Sequence, residues 1–132
     1  MDPQQAYLQN KINSATPGEL VIMLYDGLIK FSNEARELLS NTDAESQRLA
    51  AEKVDRSLKI ITELNGALNF NHSPELCQRL SSLYTFFVDE LSRSLREKDA
   101  AVIGNILPMI ENLRNGWSDA EDNLRKKPDS SA

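Results

Sequence analysis

Thr16, Pro17 and Glu19, followed by the unbroken apolar run Leu20 to Tyr25, constrain this chain more than any other stretch. Thr16 can accept a bond from a free N–H of the first helical turn, and Glu19 can reach back to the N–H of Thr16. Pro17 has no N–H to leave unpaired, so it suits the first turn. This is a helix start, and the apolar run behind it exceeds what a helix packed on one side needs. The surplus points to a surface that takes an apolar partner.

Similar signals divide the remaining sequence. Thr42 and Glu45 read as a second capping box, Ser73 and Pro74 as a cap and first turn, and Asp99 as a third start. Cations at Arg125 to Lys127 and then Pro128 mark a final stop. The expected helices are about 16–39, 43–70, 74–97 and 100–126, after an N-terminal arm at 1–15 and before a flexible tail at 128–132. No segment reads as a strand. Links of a few residues favour antiparallel neighbours, so the expected fold is all-α: an antiparallel up-down four-helix bundle with a short arm.

Projected at about 100° per residue, four core stripes emerge. They are Leu20, Leu24, Gly27, Leu28, Phe31, Ala35 and Leu38; Ala51, Val54, Leu58, Ile61 and Leu68; Leu76, Leu80, Leu83, Phe87 and Leu91; and Ile103, Ile106, Ile110, Leu113, Trp117, Ala120 and Leu124. Gly27 lowers helix propensity but lets a neighbouring helix approach. Pro108 removes a backbone bond and is expected to kink the last helix rather than break it.

Composition excludes several classes. At 132 residues the chain suits one domain with a real core. A net charge of -5 argues against a nucleic-acid partner. The opening MDPQQAYLQNK has neither the basic region nor the apolar run of a signal peptide. No stretch approaches the roughly 20 apolar residues that span a bilayer, so a cytoplasmic protein without membrane insertion is expected. His72 is the only histidine, which rules out a multi-histidine metal site. It also sits in a link, where the mid-helix histidine of a phosphotransfer domain does not belong. Cys77 has no histidine at helical spacing to activate it, and no carboxylate dyad or phosphate loop stands out. No catalytic residue, metal or cofactor is expected.

Ile22, Tyr25 and Ile29 project almost opposite the first core stripe, and Leu49, Ile60, Leu64 and Ala67 lie off the second. Part of this surplus widens the core, and the rest is expected to form an exposed apolar groove. Tyr7, Leu8 and Ile12 in the arm are expected to fold back over that groove as a reversible lid.

Tyr7, the Ser14–Pro17 segment and ELVIMLYDG together resemble the opening of FliS, a family of flagellin-specific export chaperones. The resemblance continues through Ile60 to Leu68, Leu83–Tyr84, LREKDAAV at 95–102 and LRNGW at 113–117. It implies a helical bundle that binds the C-terminal segment of flagellin, prevents premature polymerisation and presents the client to the flagellar type III secretion apparatus. In such a chaperone the client displaces the arm from a hydrophobic groove, without ATP. The resemblance makes Tyr7 the arm anchor and Tyr25 a groove residue, with Asp26 beside it as a bond to the client or a polar edge. Ile12, Ile22, Ile29, Ile60 and Leu64 complete the expected groove from the projection. Relatives also engage an anti-sigma factor or a co-chaperone, and an unliganded homodimer is compatible with the pattern. The rival readings are a phosphotransfer signalling bundle and a structural helical oligomer.

Overall fold

The computed structural model describes residues 2–126. Among them there are five helices and no strand: α1 Pro3–Ser14, α2 Pro17–Leu39, α3 Ala44–Gly66, α4 Pro74–Glu97 and α5 Ala100–Lys126. The expected tail at 128–132 lies outside the described residues.

Each start follows from local chemistry. At α2 the Thr16 hydroxyl accepts from the Glu19 N–H at 3.1 Å, and the Glu19 carboxylate accepts from the Thr16 N–H at 3.3 Å. The capping box is complete. At α3 the cap is Asp43, one residue later than expected, with its carboxylate accepting from the Ser46 N–H at 2.9 Å. A charged oxygen suits the positive end of a helix better than the Thr42 hydroxyl does. Glu45 turns instead to Arg48, at 2.7 Å. Helix α3 stops at Gly66, short of the expected end near 70. Pro74 opens α4 without a side-chain bond from Ser73. Lys98 then adopts a left-handed conformation, φ 53°, and ends it. The Asp99 carboxylate accepts from the Ala101 N–H at 3.0 Å and starts α5. Helix α5 runs unbroken through Pro108, which faces solvent.

The N-terminal segment expected as an arm is itself helical. Asp2 caps it by accepting from the Gln4 N–H at 2.8 Å, Pro3 supplies the first turn, and residues 3–14 form α1. Nothing in α1 is buried.

The four long helices pack in a cycle, α2 against α3 and α5, and α4 against the same two. Gly27 approaches Ile60, whose Cδ1 lies 3.1 Å from where a Cβ would stand, as expected of a glycine that brings helices close. Glu34–Lys53 at 2.9 Å and Ser32–Ser57 at 3.4 Å set α3 antiparallel to α2. Glu19–Arg125 and Asp26–Arg114 do the same for α5. Across the diagonal, the hydroxyls of Tyr25 and Tyr84 share a hydrogen bond of 2.6 Å.

The inward stripes are partly rotated from those expected. Leu28, Ala35, Val54, Ile61, Leu80, Phe87, Leu91, Ile103, Ile106 and Ile110 are buried as expected. Helix α2, however, buries Tyr25, Ser32 and Leu39 fully, while Leu24 and Leu38 pack partly buried at the edge of the core. Helix α3 buries Ala50, Ser57 and Leu64 fully, with Leu58 and Leu68 partly buried against the core and Ala51 exposed. A projection weighted by hydrophobicity passes over serine. Here the buried hydroxyls are satisfied: Ser32 by Ser57, Ser57 also by the Lys53 carbonyl at 3.0 Å, and Ser94 by the Leu91 carbonyl at 2.6 Å. A buried polar group costs little once it has a partner.

Candidate functional site

Two clefts flank α5. The first lies between α1, α2 and α5 and encloses about 210 Å³. Its walls carry Lys11, Glu19, Ile22, Asp26, Arg114 and Arg125. Arg114 donates from Nε to Asp26 at 2.8 Å, and Arg125 meets Glu19 at 2.9 Å. The Asp26 contact raises the already high Arg114 pKa. The bond from the Thr16 backbone, then Arg125, holds the Glu19 carboxyl below its usual range. The Glu121 carboxylate reaches into the space beside Gly18 that a Cβ would take, so a larger residue there would push that side chain aside. The result is a charged seam with little apolar floor.

The second cleft, about 280 Å³, lies between α4 and α5 and is mostly apolar. Leu76, Leu80, Leu113, Gly116, Trp117 and Ala120 line it. Leu76 is 54% exposed, and nothing approaches within 4 Å of where a Gly116 Cβ would stand. Farther along α5, Leu124 is 71% exposed. All of these but Gly116 belong to the expected core stripes, because their helical spacing looks the same whether or not a neighbour covers them. The one local signal was Gly116, which leaves an opening in the stripe.

The expected groove residues do not converge. Tyr25 and Leu64 are buried in the core, which corrects their assignment to an exposed face. Tyr25 turns inward because Tyr84 satisfies its hydroxyl, so a phenol that looked like a polar-tipped surface residue packs as core. Ile22 and Asp26 line the charged cleft. Ile29 and Ile60 are partly buried against the core. Tyr7, at 65% exposure, and Ile12 stand in solvent on α1. Lys11 and Ala15 reach the charged cleft, and no side chain of α1 is buried.

Among the described residues no cluster of His, Cys, Asp and Glu could hold a metal ion. His72 lies in the link between α3 and α4, and the buried Cys77 thiol donates to the Asn69 carbonyl at 3.3 Å. Among the described residues no helix is long and apolar enough to cross a membrane.

Comparison with known proteins gives a consistent picture. The family model described as flagellar protein FliS matches residues 1–124. A flagellar secretion chaperone FliS of Bacillus subtilis is 33% identical over 95% of this chain and 90% of its own length. Its namesake in Campylobacter jejuni is 30% identical over 89% of this chain and 90% of its own. The Salmonella typhimurium protein of the same name is 25% identical over 86% and 82%.

Proposed function

This chain belongs to the FliS family of flagellar proteins and acts as a flagellar export chaperone, and we propose that its client is the C-terminal segment of flagellin. The observation that carries the reading is apolar surface on a closed core: the cleft between α4 and α5, together with the bare side chains of α1. An amphipathic client helix would set side chains into such a cleft at every third or fourth position. Ordering a disordered client costs about 2–5 kcal/mol of the gross interaction energy, so an extended contact is needed, and one cleft is too small to supply it. We assign further client contact to Tyr7, Ile12, Ile22, Asp26, Ile29 and Ile60, with Tyr25 and Leu64 supporting them from beneath.

In this account α2 to α5 act as an up-down four-helix bundle, and α1 is the arm that moves when the client arrives. The protein works in the cytoplasm and passes flagellin to the type III export apparatus. An anti-sigma factor or co-chaperone is a secondary partner, and unliganded protein is free to dimerise. No catalytic step, metal or cofactor enters the account.

Light scattering of flagellin induced to polymerise tests it. An equimolar amount of this protein should hold full-length flagellin monomeric. Unchanged polymerisation would remove flagellin as the client.

A further inference from the structure

The seam between α2 and α3 carries a feature the export reading does not use. Three cations gather around the half-buried Phe31 ring: Lys30 Nζ at 5.7 Å from the centroid, Lys53 Nζ at 5.6 Å and Arg56 Cζ at 5.5 Å. The ring face attracts each of them, but the cations repel one another. Only Lys53 has a carboxylate within ion-pair distance, Glu34 at 2.9 Å; Lys30 and Arg56 have none among the described residues. Arg48 and Arg93, by contrast, are matched by Glu45 and Glu90. A net-acidic chain thus holds a local positive charge on an aromatic floor. Beside it Leu38 and Leu49 line a shallow cleft that also includes Glu34, Glu37 and Lys53.

We propose that the Phe31 face, with Lys30, Lys53 and Arg56 around the ring and Leu38 and Leu49 beside it, docks a short acidic segment of a partner protein. Carboxylates of that segment relieve the repulsion among the cations, and an apolar residue about one turn away (5.4 Å) enters the neighbouring cleft. A nucleic acid fits less well. A long polyanion leaving this patch along α3 would meet the carboxylates of Glu52 and Asp55, which already serve Arg48 and Lys59.

The inference does not rest on flagellin as client, and either can fail alone. The test is fluorescence anisotropy with a labelled peptide of repeated Glu-Glu-Leu units, beside a Gln-Gln-Leu control and a single-stranded oligonucleotide. The protein should prefer the acidic peptide about tenfold or more, and the preference should weaken as salt rises. The double variant Lys30→Gln, Arg56→Gln alters two exposed side chains, so it should keep the wild-type circular dichroism and lose the preference. Equal affinity for both peptides, a preference that survives in the double variant, or tighter binding of the oligonucleotide overturns the proposal.

Discussion

Tyr25 and Tyr84 meet at 2.6 Å in the centre of the core, and each hydroxyl depends on the other. Removing one leaves its partner buried and unsatisfied, which costs about 1–3 kcal/mol; removing both can be nearly neutral. Urea denaturation should therefore find Tyr25→Phe clearly destabilised and the Tyr25→Phe, Tyr84→Phe pair largely restored. If the two losses simply add, the bond does not hold the pair. Burial pushes both phenols above their usual range, and for Tyr25 the hydrogen bond with Tyr84 offsets part of the rise. A raised folded pKa means the unfolded state ionises first, so stability is full below the ordinary tyrosine value of about 10 and falls as pH rises beyond it. This residue pair also explains what the sequence concealed. Tyr25, Ser32 and Ser57 are polar by type and core by position, because hydroxyls on different helices satisfy each other. A single strip of sequence shows no such partner, so the projected stripes turned partly away from the true ones and set Tyr25 and Leu64 outside.

Helix boundaries were more legible than helix faces, because a cap is local. Thr16, Pro17 and Glu19 start α2 where their spacing places it, and Asp99 starts α5. The α3 start shifted by one residue, since two candidate caps adjoin and charge decided between them. The arm became a helix through Asp2 and Pro3, a signal present in the sequence but outweighed by the few apolar residues behind it. Thr16→Ala should cost about 0.5–2 kcal/mol, measured by thermal or urea unfolding with helicity retained. The depressed Glu19 carboxyl stabilises α2 at neutral pH, and that stability is lost as pH falls through its folded value. Glu19→Gln has no such titration and should show a shallower loss of stability on acidification. An identical acid limb in both proteins would mean that the cap and the Arg125 contact add nothing.

At the scale of the whole molecule, connectivity was readable and surface was not. Short links and apolar periodicities at helical spacing sufficed for the all-helical class, whereas the cleft between α4 and α5 depends on which stripes remain uncovered. Leu76→Glu and Ala120→Glu place charge at exposed positions of that cleft. Each should leave the circular dichroism intact and weaken flagellin binding about tenfold, near 1.4 kcal/mol. Unaltered binding would move the client contact to the remaining proposed residues on α1, α2 and α3. The central claim is most directly tested by calorimetric titration of this protein with the C-terminal segment of its own organism's flagellin. The account predicts saturable one-to-one binding, a negative heat-capacity change and a gain in helicity as the client orders. Folded protein that takes up no heat from the segment at high concentration across several temperatures would contradict it.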